Sequence, residues 1–297
     1  MTEPQRATIR PAFAEFLPEW LVRRRWYTGK GHTPALTRLG GLRWQDPGGE
    51  VGIETHLILD SGGNEPVLYH VPLTYRGAPL PHEVAGRRAL VATAEHSELG
   101  KRWIYDGCYD PVYVQALVDS LTGSGSLPEV SLAPSEQAGA TAEPHTGTVA
   151  GPGAETGTPI DPGAGIARES LVRAEPARGA DRVEVRSSRV LLGGQSNTSI
   201  VVNEHGIIKV FRVLRPGVNP EVQVQSALAA GGSTLVPTPV GALWASWLPT
   251  SGGHLAFASE YLPGGSDGWT LALQAASDDS DFTSKAIALG ELTAHLH

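Results

Sequence analysis

Apolar residues near the start of the chain recur at helical spacing: Phe13, Phe16, Leu17, Trp20 and Leu21 share one face, with Arg and Glu opposite. The glycines of Trp26-Tyr27-Thr28-Gly29-Lys30-Gly31 supply the stop. The period then changes to two. Residues 39–44, 52–59 and 67–73 alternate between Gly and Asp clusters, which predicts an antiparallel sheet. After Arg102-Trp103-Ile104-Tyr105-Asp106-Gly107, an Asp cap at Asp110 and Pro111 at the first helical position predict a helix to Leu121. These elements make one α+β domain of about a hundred residues.

From Thr122 to about Ala180 the pattern disappears into Gly, Ala, Pro, Ser, Thr and Glu. Such a tract buries too little apolar surface to offset its backbone entropy, so it is expected to be a flexible linker, and His145 within it is not a catalytic candidate. Strands are expected at 183–192, 199–202 and 207–213, with Asn203-Glu204-His205-Gly206 as the turn joining the last two. Asn219-Pro220 opens a helix that Gly231-Gly232 closes. A strand pair at 241–248 and 255–262 ends at Pro263-Gly264-Gly265, and helices follow at 269–276 and 282–297. The last helix has no stop signal at its end, which reads as a chain cut within a helix.

The expected fold class is α+β in four parts: an N-terminal domain at 1–121, a linker at 122–182, a small lobe at 183–263 and the start of a helical large lobe at 264–297. The small lobe, an antiparallel sheet with one helix, has the element order of a kinase-like fold. The helices of 264–297 are expected to expose an apolar face and promote association.

Composition narrows the function. A formal charge of -8 argues against nucleic acid or an anionic membrane as partner. The single cysteine, Cys108, excludes an internal disulfide and fits a reducing cytoplasm. No secretory leader pattern or bilayer-length apolar run appears, so a cytoplasmic location is expected.

The candidate chemistry lies in Gly193-Gly194-Gln195-Ser196-Asn197-Thr198-Ser199 and in Ile207-Ile208-Lys209-Val210-Phe211. Loop amides and hydroxyls can donate to phosphate oxygens, and Lys209, sharing a strand face with Ile207 and Phe211, can neutralise them. An edge-strand lysine whose head reaches water is the alternative. The helix after Pro220 offers two partners for Lys209, Glu221 and Gln223, and Glu221 could equally serve only the helix dipole. Glu260-Tyr261-Leu262 stands where a hinge would meet adenine. Asp267, Asp278, Asp279 and Asp281 read as helix caps rather than metal ligands. His295 and His297 are two apart on a helix and face different ways.

Several ordered stretches resemble actinobacterial maltokinases: residues 192–199, 208–212, 216–220, 267–273, 281–283 and 289–295, together with Trp20-Leu21, residues 25–31, His96-Ser97, 103–107 and 110–113 near the front. The resemblance implies an aminoglycoside-phosphotransferase-like kinase with an N-terminal cap domain, phosphorylating maltose to maltose 1-phosphate with ATP and Mg2+ in glucan and trehalose metabolism. It implies Gln195, Ser196, Asn197 and Thr198 over the phosphates, Lys209 on the α/β-phosphates, and Glu260, Tyr261 and Leu262 at adenine. The chain departs from the family pattern at Gly194, where an acid is usual, and at Gln223, which aligns with the usual glutamate. The His-Gly-Asp catalytic loop and the metal motif are missing, so no catalytic or metal residue is assigned and the chain alone is expected to lack phosphotransfer activity. Another acceptor sugar such as glucosamine, or a non-catalytic module binding a partner such as a trehalose synthase, are the alternatives.

Overall fold

The computed structural model describes residues 8–82, 88–132, 171–191, 196–248 and 251–296. Gln195, His145, His297 and linker residues 133–170 lie outside the described residues. The chain folds as an α+β protein around two antiparallel sheets. The first contains β1 (Ile9–Arg10), β2 (Leu36–Trp44), β3 (Val51–Asp60), β4 (Val67–Arg76), β5 (Leu90–His96), β6 (Gly100–Asp106) and β7 (Glu129–Leu132), in the order β1-β5-β6-β4-β3-β2-β7. The second contains β8 (Val172–Pro176), β9 (Ser188–Val190), β10 (Asn197–Val202), β11 (Gly206–Phe211), β13 (Pro239–Leu248) and β14 (Ser251–Glu260), in the order β8-β13-β14-β11-β10-β9. The two-residue β12 (Val213–Leu214) leaves the second sheet and pairs with β4 of the first.

The periodic segments fold as expected. Helix α1 (Phe13–Val22) buries Leu17, Trp20 and Leu21 against Ile58, Tyr69 and Ile104 of the first sheet. Each such side chain contributes about 1.5–3 kcal/mol by leaving water. Helix α2 (Pro111–Thr122) starts at the Asp110 cap, whose carboxylate accepts the Val112 amide and a two-pronged ion pair from Arg76 at 2.6 Å. Its residues Val114, Leu117 and Leu121 share one core with Ile53 and Leu57 of β3 and with Ile200, Ile208 and Val210 of the second sheet. Gly241 makes this packing possible, since a Cβ there would lie 2.0 Å from the Leu121 carbonyl oxygen.

Two expectations need correction. The stretch 122–182 was expected to be flexible, yet β7 pairs with β2 and β8 pairs with β13. Strand edges recruit short segments through backbone bonds, which need little apolar side chain; Val172 alone is buried deeply in β8. The strand predicted at 183–192 is reduced to three residues, because Gln115 and Asn203 side chains take the backbone groups of residues 183–187. Strand β5, which the alternation did not single out, lies near the sheet edge.

Helices α3 (Pro220–Ala230), α4 (Gly268–Ser277) and α5 (Thr283–Leu296) complete the described elements. Asp267 and Asp281 accept the amides of Thr270 and Thr283, as capping residues do. Trp269 and Leu273 of α4 and Ile287, Leu289 and Leu292 of α5 are open to solvent, with Trp269 72 % exposed; Ala275 is the buried residue of α4 and α5 has none. We expect the purified 297-residue chain to self-associate; a single monomeric peak in size-exclusion chromatography at micromolar concentration would contradict this. Among the described residues no helix is long and apolar enough to cross a membrane.

A polar seam joins the two sheets. His70 of β4 is buried, with Nδ1 3.0 Å from the Phe211 carbonyl oxygen, and its amide donates to the Arg212 carbonyl at 2.9 Å. Burial, with Arg212 alongside, pushes the His70 imidazole down to about 3, and burial with Arg38 does the same to His56. Both rings therefore stay neutral in the folded state while the unfolded chain takes up protons near pH 6.5. Stability is full above pH 6.5 and falls as pH drops toward 3, by about 1.4 kcal/mol per unit per ring. Urea unfolding at pH 7.5 and pH 5 is expected to differ by about 4 kcal/mol, and equal midpoints would refute it.

Candidate functional site

Lys209 occupies the middle of β11, opposite Ser199 of β10 and Phe257 of β14. Residues directly opposite in a sheet share a face, so the three side chains stand on the same side. The lysine is not buried as the apolar strand suggested: its side chain is 36 % exposed. Its stem lies on the sheet while Nζ forms an ion pair with Oε1 of Glu221, itself 35 % exposed.

Local sequence places that glutamate. Asn219 caps α3 by accepting the Glu221 amide at 2.9 Å, and Pro220 pre-sets the first turn. The Asn219 amide donates to His254 Nδ1 at 3.1 Å, while His254 Nε2 lies 3.0 Å from Glu175 Oε2. Gly217, in the left-handed region at φ 97°, turns the chain and donates its amide to the Gly252 carbonyl. The helix start is thus anchored to β13–β14 and β8, and its second residue points at Lys209. Gln223, the position aligned with the family's usual glutamate, is exposed and its side chain makes no hydrogen bond among the described residues. Glu221 stands as partner because the cap sets the helix register, which no alignment of residue types encodes.

The loop before β10 divides. Ser196 is exposed. Asn197 pairs with Phe211, and its carbonyl accepts Arg25 Nη2 at 3.2 Å. Thr198 is buried, and its hydroxyl accepts Arg212 Nε at 2.8 Å, so it is committed to the interior rather than to the open side of the loop. At the far end of β14, Glu260 takes the amide and hydroxyl of Thr238 on its carboxylate. The Tyr261 amide donates to the His205 carbonyl at 2.7 Å, and its hydroxyl accepts Arg189. Leu262 is exposed, directly before the Pro263-Gly264 break. The Lys209–Glu221 pair stands at the middle of β11, Ser196 directly precedes β10 at the Phe211 end, and Glu260 pairs with Gly206 at the other end of β11.

Beneath this face lies a cluster that motif reading did not single out. Arg212, immediately after β11, is fully buried. Its Nη2 donates to both oxygens of Asp106 at 2.7 Å and lies 3.0 Å from Cys108 Sγ; the guanidinium carbon sits 4.9 Å from the Trp26 ring centre. Burial opposes the charge, but the Asp106 carboxylate outweighs it and holds the guanidinium fully protonated. Burial likewise pushes the Cys108 thiol well up, so it is no nucleophile. The signal available in sequence was an arginine ending an apolar run, which is equally the mark of an ordinary strand end.

The open face of β11 presents one partly exposed ammonium, Lys209 Nζ, whose charge suits a phosphate oxygen. Among the described residues no group of three or more His, Cys, Asp or Glu converges to hold a metal ion.

Known proteins were compared with this chain. A glucosamine kinase in one crystal form matches with a TM-score of 0.49 and 20 % identity, covering 97 % of this chain and 51 % of that one. The same kind of enzyme in complex with glucosamine, ADP and inorganic phosphate matches with a TM-score of 0.47 and 20 % identity, covering 94 % of this chain and 50 % of that one. The chain thus spans about half the length of these solved structures. Residues 20–110 match the family model of the maltokinase N-terminal cap domain.

Proposed function

We propose that this chain is the nucleotide-binding half of an ATP- and Mg2+-dependent sugar kinase of maltokinase type, transferring phosphate to the anomeric hydroxyl of maltose. The cap at 20–110 supports the class, and the observation that carries the reading is the Lys209–Glu221 ion pair on the open face of β11. An ammonium held by a carboxylate at half exposure is positioned but not spent. It keeps two further N–H donors for the α/β-phosphates of a nucleotide, and Glu221 keeps it from swinging into solvent.

In this reading Ser196 and the neighbouring loop amides close over the phosphates, and Glu260, Tyr261 and Leu262 border the adenine. The Glu260 amide is already bonded to the Thr238 carbonyl and the Tyr261 amide to that of His205, so adenine would be met by the carbonyls of this stretch or by the Leu262 amide. The boundaries proposed are a cap at 1–121 extended by β7, a linker between β7 and β8, a small lobe formed by β8 with residues 183–263, and large-lobe helices from 264. Bound Mg2+ would neutralise phosphate charge; no described cluster holds it, and the contribution derived for this chain is nucleotide positioning alone.

Titration of the 297-residue chain with Mg-ATP, followed by tryptophan fluorescence, tests the nucleotide site. Saturable binding supports it; no binding at millimolar nucleotide overturns it and leaves a capped, non-catalytic module. The acceptor is tested by ADP release with maltose or glucosamine. Preference for glucosamine would refute maltose while leaving the nucleotide site intact.

A further inference from the structure

The first sheet carries a second, unrelated cavity. Its volume is about 740 Å3, within the range of small-molecule sites. The floor is one sheet face: Gly52, Glu54 and His56 alternate along β3, Arg43 lies opposite Glu54, and Tyr75 lies opposite Gly52. Phe13 and Phe16 of α1 close one end, with the Phe13 ring centre 4.6 Å from that of His56.

The hydrogen bonds in this cavity are directional and incomplete. Arg38 Nε donates to His56 Nδ1 at 3.0 Å. Arginine can only donate, so Nδ1 is bare and Nε2 carries the ring proton. Nε2 lies 2.9 Å from the Tyr75 oxygen and therefore donates to it. The tyrosine's own hydrogen is left without an acceptor among the described residues. Arg102, which lines the same cavity, has no hydrogen-bond or ion-pair partner among the described residues either. Glu54 contacts Arg43 with one oxygen at 3.5 Å and keeps acceptor capacity on both.

Charge argues against an ion as occupant. Arg38, Arg43 and Arg102 are balanced by Asp46, Glu50 and Glu54 around the lining. A site with donors and acceptors side by side on planar groups, little net charge and an aromatic end matches a ligand whose every polar group both donates and accepts. That description fits vicinal hydroxyls on a ring with an apolar C–H face. Gly52 keeps the flank of Tyr75 bare: a Cβ at this position would stand 3.4 Å from the Tyr75 side chain.

The geometry points to a carbohydrate-binding site on the cap sheet, taking a neutral pyranoside of one to three rings, with Tyr75 and Arg102 as donors, Glu54 as acceptor and Phe13 and Phe16 against the sugar's apolar face. This site is separate from the Lys209 face and stands or falls independently of the nucleotide reading.

The test is calorimetric titration of the 297-residue chain with glucose, maltose and maltotriose, and with glucose 6-phosphate as the charged probe. At least one neutral sugar is expected to bind. Tyr75→Phe should weaken it about tenfold, and Arg102→Ala by a similar factor, as loss of one hydrogen bond each. Gly52→Leu, which fills the space beside Tyr75, should abolish binding; Tyr75→Phe keeps the ring and serves should the leucine variant fail to fold. Lys209→Met should leave sugar binding unchanged. Absence of neutral-sugar binding, preference for the phosphate ester, or loss of binding only in Lys209→Met would each overturn the proposal, the last by placing the sugar at the other face.

Discussion

Replacing Asp106 by alanine is expected to lower the unfolding free energy by about 3–5 kcal/mol, the loss seen when a buried ion pair is broken from one side. Arg212 is among the largest fully buried side chains of the described residues, and among them Asp106 supplies the carboxylate it contacts, through both oxygens. Without that carboxylate, the guanidinium keeps its bond to Thr198, the Cys108 sulfur and the Trp26 ring, none of which carries a formal charge. Water cannot replace the carboxylate without opening the seam between the sheets. The double variant Asp106→Leu/Arg212→Met should recover most of the loss, because a packed apolar pair has no charge to desolvate. Urea denaturation of the three proteins decides it. A single variant within about 1 kcal/mol of the parent would show that the pair does not hold the sheets together.

Lys209→Met is expected to lower Mg-ATP affinity by about ten- to a hundredfold, equivalent to about 1.5–3 kcal/mol for a charged hydrogen bond. The same change should alter stability by less than about 1 kcal/mol, since the ion pair with Glu221 is half exposed and screened. The split separates a binding role from a structural one: a lysine that merely packed its stem would lose stability and leave affinity unchanged. Glu221→Gln should weaken nucleotide binding less than Lys209→Met, because the ammonium remains but is no longer held. Gln223→Ala should do nothing, its side chain being exposed and unbonded. Equal affinity of parent and Lys209→Met would end the nucleotide reading of this face.

The helices were legible because their signals are local. Asp110-Pro111 and Asn219-Pro220 each combine a cap with a residue whose φ is already helical, and both helices begin where these pairs stand. The long strands β2, β3 and β4 were legible from alternation. Strands β7 and β8 were not, since short edge strands in a Gly- and Pro-rich stretch are held by backbone pairing that leaves little trace in side-chain type. In the site, Lys209 could be singled out as a cation in an apolar strand, but the choice between Glu221 and Gln223 could not be made. That choice turns on helix register, fixed by the Asn219 cap and by contacts from His254, 35 positions away.

What the amino-acid order determined alone is the helices with their caps, the long strands, the α+β class and the candidacy of Lys209, because each follows from physics acting within a few residues. What only the tertiary structure decided is which carboxylate meets Lys209, that Thr198 turns inward, and that the charge of Arg212 is met by Asp106. It also decided that one face of the first sheet encloses a polar cavity. Asp106 and Arg212 stand 106 positions apart, and no local rule couples residues at that separation. Burial does so, by making an unpaired charge too costly to leave between the sheets.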